Sequence, residues 1–343
     1  MEEQSLFAIN ENSGVDKYRQ IVNGIIAAIK KGTLHRDDVL PSVSQMCESF
    51  GLSKETVLKA YAMLQQRGIV TAVARKGYYV ATESVNHFSR IMLLFDELTQ
   101  YKQVMYDQFM RTIDGKVKVD IFFHHCIPSQ FETLLLDKIK YYDQAIVMPF
   151  ANEQVMRAIQ RIDDDKILLI DRRDNIEKAC SHVIQEFQES VFDCLIAAED
   201  LLQKYHTLYL IFPKNEALAI KSSHAPREIQ QGFGKYCLER GLKHHIVHSA
   251  DEIIYEPGTA VMLIDDLDLV AVVETARQLC LSVGSQIGII SYNDTPMKRI
   301  VENGITVIST DFAEIGRIAA ELILTGQNEK ITVPTRLIRR NSL

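Results

Sequence analysis

The sequence predicts two folds in one chain: an N-terminal winged helix-turn-helix, followed by an α/β body built of two parallel-sheet lobes. Three observations carry this. First, Leu40-Pro41-Ser42 is followed eleven residues later by Ser53-Lys54-Glu55-Thr56-Val57, between an amphipathic stretch and a basic Arg75-Lys76-Gly77 turn. Second, from Ser89 onward short apolar runs alternate with amphipathic stretches, the pattern of parallel α/β sheets. Third, charge is segregated. Ten Lys/Arg stand against five Asp/Glu between Gly14 and Ala81, whereas the 343-residue chain carries −7 overall. A basic head on an acidic body is the electrostatic footprint of nucleic-acid binding confined to one domain.

The head is read element by element. Tyr18, Ile21, Val22, Ile25, Ile26 and Ile29 recur at helical spacing, and Gly32 ends that helix. Pro41 suits the first turn of a short second helix, and Ser42 suits its cap and a phosphate contact. Gly51 makes the tight turn, and Ser53 is the cap expected for a third helix. Leu52, Val57, Ala60, Tyr61 and Leu64 bury one side of it. Lys54, Thr56 and Lys59 are left near its N-terminal half, where a recognition helix meets base edges and phosphates. After Gly68, residues 69–73 and 78–80 read as two strands joined by the basic tip Arg75, Lys76 and Gly77. Each piece alone has a plainer reading, in helix capping or a solvated turn. All four in this order specify DNA binding. The DNA-binding domain is therefore placed at 1–81 and a polar linker at 82–89.

In the body, 90–343, strands are expected at 91–95, 117–124, 144–148, 166–170, 208–212, 245–247, 260–264, 286–290 and 306–309. Helices are expected at 130–141, 153–161, 191–205, 228–240, 270–281 and 313–325. That many strands over roughly 250 residues suits two sheets, with ligands at the carboxyl ends of strands.

The segment 18–80 resembles the DNA-binding domain of GntR-family repressors. It keeps Leu40-Pro41-Ser42, Ser53, Thr56-Val57 and Gly77, and departs from the family pattern at Ser44 and Lys54, where Arg is usual. Residues 90–343 resemble the effector domain of LacI-type repressors, which is shaped like a periplasmic sugar-binding protein. The resembling pieces include "KILLIDRRDN", "EIQQGFGKYCLERGL" and "AVMLIDDLDLVAVVETARQLCLSVGSQIGIISYNDT". The combination is similar to the arabinose-repressor branch. It implies a cytoplasmic, dimeric transcriptional regulator of a sugar-utilisation operon, bound to double-stranded operator DNA and controlled by a monosaccharide. It also implies three crossings between lobes, near Gln185, Thr310 and Asn328, with helix 313–325 returned to the first lobe. The effector contacts implied are Arg172 and, at positions where family residues are exchanged, Asp265 and Asn293, with Asp294 following. Asp96, just past the first body strand, is a further candidate. Taken singly, Asp and Asn at strand ends are most often turn or capping residues.

Other classes are opposed by what the sequence carries. The N-terminus is acidic and polar, unlike a signal peptide, and no run of eighteen apolar residues suggests a membrane span. The six Cys are scattered without a C-x-x-C pair, as for free thiols in a reducing compartment. His124-His125-Cys126 and His244-His245-x-x-His248 lack a second pair at metal spacing, so no metal is expected, although His124 or His125 is a candidate for a ligand hydrogen bond. No Gly-rich phosphate loop, G-x-S-x-G or H-E-x-x-H is present, and no catalytic residues or cofactors are expected. The enzymatic alternative is a pyridoxal-phosphate-dependent, aminotransferase-like domain behind the same head. It needs a longer body and a catalytic-Lys pattern not found here.

Overall fold

The computed structural model describes residues 7–10, 16–66, 68–82, 90–174, 176–213 and 225–343. The chain divides into two units, one centred on residues 1–89 and one on 90–343. The linker expected at 82–89 lies, except for Thr82, outside the described residues.

The first unit holds α1 (Lys17–Lys30), α2 (Val43–Phe50), α3 (Lys54–Gln66), β1 (Val70–Val73) and β2 (Gly77–Val80). Ile21, Val22 and Ile25 of α1, Met46 of α2, and Val57, Tyr61 and Leu64 of α3 close one small core. Ser42 caps α2 reciprocally: its Oγ accepts from the Gln45 N–H, and the Gln45 side chain accepts from the Ser42 N–H. Pro41 therefore precedes the cap instead of lying in the first turn. Its carbonyl accepts the Tyr61 hydroxyl at 2.5 Å, which ties the entry of α2 to α3. Gly51 ends α2 with φ 62, a conformation that only glycine adopts cheaply. β1 and β2 form an antiparallel hairpin. The chain before α2 adds a short third partner, with the Leu40 N–H donating to the Tyr78 carbonyl.

The second unit has two six-stranded sheets. Its first lobe is built from β3 (Arg90–Phe95), α4 (Gln100–Ile113), β4 (Lys118–Phe123), α5 (Pro128–Lys138), β5 (Gln144–Val147), α6 (Glu153–Gln160), β6 (Ile167–Asp171) and β7 (Ser181–Gln185). The chain crosses and builds the second lobe from α7 (Gln188–Ala197), α8 (Glu199–Leu202), β8 (Thr207–Ile211), α9 (Arg227–Glu239), β9 (Lys243–Val247), β10 (Thr259–Leu263), α10 (Asp266–Gln278), β11 (Ile287–Tyr292) and β12 (Thr306–Thr310). It returns for α11 (Phe312–Thr325) and β13 (Lys330–Val333), then crosses a last time into β14 (Thr335–Ile338). The sheet orders are β13-β7-β6-β5-β3-β4 and β14-β12-β11-β10-β8-β9. All pairings are parallel except β14 on β12.

Two close approaches fix helix positions. A Cβ on Gly316 of α11 would meet the Met105 carbonyl oxygen of α4 at 2.1 Å, so α11 packs on the first lobe as expected. A Cβ on Gly232 of α9 would meet the Gln188 carbonyl oxygen of α7 at 2.3 Å.

The structure differs from expectation at several points. The last crossing lies at Pro334, not near Asn328, because residues 330–333 first add β13 to the first sheet. Strand β7 went unpredicted because Ser181, His182 and Gln185 make it look polar, yet it lies between β6 and β13. The helix expected over 191–205 is broken at Ala198, between α7 and α8. Among the described residues, no helix is long and apolar enough to cross a membrane.

Candidate functional sites: a helix-and-wing face and an interlobe cavity

In the first unit the residues expected at DNA lie on α2, α3 and the wing. Ser53 caps α3 by accepting the Thr56 N–H, and the two hydroxyls are 2.8 Å apart. Thr56 is thus part of the cap as well as of the helix surface. Lys54 is exposed at the first position of α3. Lys59 is exposed too, with its ammonium 4.0 Å from the centre of the Tyr18 ring, a cation–π contact that orients it. The wing turn is closed by the Lys76 N–H on the Val73 carbonyl. Arg75 takes φ 64 and Gly77 takes φ 111, both left-handed. Arg75 and Lys76 are exposed at this tip, as strong donors held on a short, defined turn.

In the second unit, strand order reverses around β3 in the first sheet and around β8 in the second, which opens a crevice at the carboxyl ends of both. A cavity of about 400 Å³ lies there, lined from both lobes. Its first-lobe wall includes Asp96, Lys102, Asp171 and Arg172, and its second-lobe wall includes Asp265, Asp266, Asn293 and Lys298. Tyr101, Phe150, Phe187, Ile264 and Tyr292 supply apolar surface. Four of the five expected effector residues, Asp96, Arg172, Asp265 and Asn293, come together on this cavity.

Asp294 does not line it. Its carboxylate takes two bonds of 2.8 Å from the Arg340 fork, with Arg299 at 3.3 Å, so it clamps the end of β11 to the C-terminal segment. Burial raises its carboxyl, but these guanidinium partners hold it below the usual carboxylate range.

The cavity charges are nearly all spent on one another. The Lys102 ammonium donates to both Asp96 oxygens, at 2.5 and 2.6 Å. Burial works against both charges, yet Lys102 keeps the Asp96 carboxyl low and Asp96 contributes to holding the Lys102 ammonium high. Arg172 pairs with Asp174, both almost wholly buried. Lys298 spends three bonds, on the Tyr292 and Asn293 carbonyls and on Asp266, at 2.8, 2.8 and 2.9 Å. Asp265 caps α10 by accepting the Leu267 N–H at 2.7 Å, so it realises the plain capping role while lining the cavity.

Two strand ends carry left-handed residues that face this space: Asp171 with φ 71 and Asn293 with φ 60. The Asn293 Oδ1 and the Thr295 Oγ1 are buried without a hydrogen-bond partner. Polar atoms in that state are costly, and a bound polar molecule is one way to satisfy them. Asp171 accepts one bond from the Gln185 amide at 2.6 Å. The Gln185 Oε1 accepts from Thr310 at 2.8 Å and from the Tyr292 hydroxyl at 3.4 Å, and Thr310 bonds Thr335 at 2.6 Å. This chain touches all three lobe crossings.

His124 is a core residue. Its Nδ1 accepts the Cys126 N–H, so its Nε2 carries the proton and donates to the Met148 carbonyl. Burial pushes its pKa down to about 4. His125 is exposed and does not line the cavity. Sequence reasoning gave no ligand role to Lys102, Asp171, Gln185 or Thr295, and placed Gln185 only as a crossing between lobes. Lys102 was hidden because α4 had not been placed, and Gln185 because its strand read as polar. Asp171 was legible as the neighbour of Arg172 at a strand end.

Comparison with known proteins finds matches in both parts of the chain. Residues 17–80 match the family described as bacterial regulatory proteins, gntR family, and residues 214–343 match a periplasmic binding protein-like domain. The chain is 36% identical over 80 residues to the mannosyl-D-glycerate transport/metabolism system repressor MngR of Escherichia coli (strain K12), covering 23% of this chain and 33% of that protein. It is 30% identical over 89 residues to the HTH-type transcriptional repressor NagR of Bacillus subtilis (strain 168), covering 26% of this chain and 37% of that one. It therefore spans about a third of the length of these curated relatives. Among solved structures, a LacI family transcriptional regulator from Silicibacter pomeroyi superposes with a TM-score of 0.61 at 16% identity, over 74% of this chain and 99% of that one. The trehalose repressor from Escherichia coli does so with a TM-score of 0.60 at 14% identity, over 73% and 99%. At such identities the likeness is one of fold. The chain thus joins a segment that matches the gntR family model to one that matches a periplasmic binding protein-like domain, in a body that shares the fold of LacI family regulators.

Proposed function

We propose that this chain is a sugar-responsive transcriptional regulator, acting as a repressor: its first unit reads operator DNA, and its interlobe cavity binds a monosaccharide or related polyol. The observation that carries the proposal is the cavity itself. It lies at the switch points of both sheets, walled by aromatic and aliphatic surface and set with carboxylates, an Arg and an Asn whose amide oxygen is buried without a partner. A sugar needs such a mixture: polar forks for its hydroxyls and an apolar face for its ring. The repressors named above act in mannosyl-D-glycerate and trehalose systems, which supports carbohydrate control. The resemblance to the arabinose-repressor branch suggests arabinose, and the exchanged residues Asp265 and Asn293 leave other pentoses or a deoxyhexose such as fucose open.

In this proposal Lys54, Thr56 and Lys59 of α3 meet the major groove, Ser42 meets a phosphate, and Arg75, Lys76 and Gly77 shape a wing at the neighbouring backbone. The regulator works as a homodimer on a two-fold-related operator. Ligand binding favours one arrangement of the lobes over another, which changes the affinity for DNA. Both cavity lysines, Lys102 and Lys298, are tied in ion pairs, which disfavours the alternative of a pyridoxal aldehyde attached there.

Footprinting on genomic fragments selected by the purified protein tests this, with and without a panel of monosaccharides. The expected result is a two-fold footprint whose half-site centres lie about one helical turn apart, steep salt dependence, and a change of affinity with at least one sugar. An asymmetric single half-site holding one chain, or no response to any carbohydrate, overturns the corresponding part.

A further inference from the structure

Among the described carboxylates that wall the interlobe cavity, Asp171 is the buried one that forms no ion pair of its own. Asp96 is neutralised by Lys102, Asp174 behind the wall by Arg172, and Asp266 by Lys298. Asp265 and Glu97 are exposed at the cavity, where water screens them. Asp171 is 6% exposed, makes no ion pair among the described residues, and accepts only the Gln185 amide. Its backbone is left-handed, which turns the end of β6 at the cavity.

We infer that Asp171 is the ligand anchor of this cavity and makes it select an uncharged or amine-bearing polyol while rejecting phosphorylated and carboxylated sugars. The inference rests on the carbohydrate reading above and names the ligand class within it.

Charge decides the sign. The lining holds five carboxylates (Asp96, Glu97, Asp171, Asp265 and Asp266) against three cations (Lys102, Arg172 and Lys298). Among the described residues, each cation an anionic ligand would meet is already paired with a carboxylate. One feature argues the other way: the first turn of α4, residues 100–102, faces the cavity, and Thr99 makes no side-chain cap there. A helix N-terminus is equivalent to roughly half a positive charge, which does not offset an excess of two carboxylates. The facing N-terminus of α10 is already capped by Asp265. A neutral polyol brings hydroxyl donors to Asp171 without adding charge, and an amino sugar brings the missing cation. Burial pushes the Asp171 carboxyl above its usual range, with Lys102 and the Gln185 bond acting against this. Ligand donors favour the ionised form and are rewarded for it.

The test is thermal unfolding of the full chain with neutral monosaccharides, the corresponding amino sugars and the corresponding sugar phosphates at matched millimolar concentration. It is repeated on Asp171→Asn, which keeps an oxygen for Gln185. The expected result is stabilisation by a neutral or amino sugar and none by the phosphates. Asp171→Asn should weaken that binding by about ten- to a hundred-fold, the loss of a charge-assisted bond. Without ligand the variant should melt no lower than wild type, since a buried charge has been removed, and that separates anchoring from folding. Stabilisation by a sugar phosphate, or equal ligand affinity in Asp171→Asn and wild type, overturns the inference while leaving the carbohydrate reading intact. Silence of all three sugar classes overturns both.

Discussion

The helix-and-wing face and the interlobe cavity handle charge in opposite ways. Lys54, Arg75 and Lys76 sit in water, where an unpaired charge costs nothing until DNA arrives. In the cavity Lys102, Arg172 and Lys298 are buried, and each is already matched by a carboxylate. Recognition of a polyanion can wait for its partner because the surface stays solvated. Recognition inside a cavity needs charges neutralised at the moment of folding, since an isolated buried ion costs several kcal/mol. Removing a charge at the face should therefore alter binding and spare stability, and breaking an ion pair in the cavity should alter stability first.

The sharpest contrast is expected at Arg172. Arg172→Ala breaks the buried ion pair with Asp174 and should cost about 3–5 kcal/mol of unfolding free energy. Urea unfolding measures this, and Asp174→Asn in the same chain should recover part of it. A loss below about 1 kcal/mol would remove Arg172 from the set of paired cavity charges. The ligand role of Arg172 is better read in Arg172→Lys, which keeps the charge but not the planar fork.

His124 gives the next effect, through pH. Its folded pKa of about 4 lies below its ordinary value of 6.5, so the unfolded chain binds more protons between these values. Stability should then be fully present above pH 6.5 and fall as pH drops from 6.5 towards 4, by about 3 kcal/mol at most, at 1.36 kcal/mol per unit. In His124→Gln the fall over this window should flatten, and an unchanged slope would assign the acid sensitivity to other groups.

Smaller effects belong to the wing and recognition helix. Gly77→Val forces a β-branched residue to φ 111 and should cost about 1–2 kcal/mol together with operator affinity. Lys54→Ala should weaken operator binding about tenfold, with stability changed by less than about 0.5 kcal/mol. Arg75→Gly removes the charge and also relieves the left-handed backbone at φ 64, so it too should lower affinity without loss of stability. If either side chain contacts a phosphate, its removal lowers the salt slope by about one unit. Wild-type affinity in both would place the DNA contact elsewhere.

The two regions also differed in how far they could be read in advance. The head was legible nearly residue by residue, because its signals are local: a cap at Ser42, a turn at Gly51, a helical apolar face, a tip at Gly77. In the body, apolar runs located nine strands, but β7, β13 and β14 escaped. Their residues serve hinge and edge positions where polar side chains are spent on other segments, as Ser181 is on Asn328. Asp96, Arg172, Asp265 and Asn293 were legible as strand-end residues. Their pairing was not: Asp174 and Lys102 lie only two and six residues from Arg172 and Asp96, yet no sequence pattern says that these segments fold back on themselves, and Lys298 reaches Asp266 from a distant segment.

The hydrogen-bond chain from Gln185 through Thr310 to Thr335 has a mechanical consequence. Each lies at one of the three strands that pass between lobes, and the hydroxyl protons run one way. Thr310 gives its single proton to Gln185, so Thr335 must give its own to Thr310. Bending one strand by itself would strand a buried hydroxyl or amide, at about 1–3 kcal/mol each. Partial bends are thereby penalised, and the three strands should turn together or not at all. A hinge wired in this way has a few discrete postures in place of a continuum. A ligand pulling on Asp171, which shares the Gln185 amide, acts on the latch as well as on the walls.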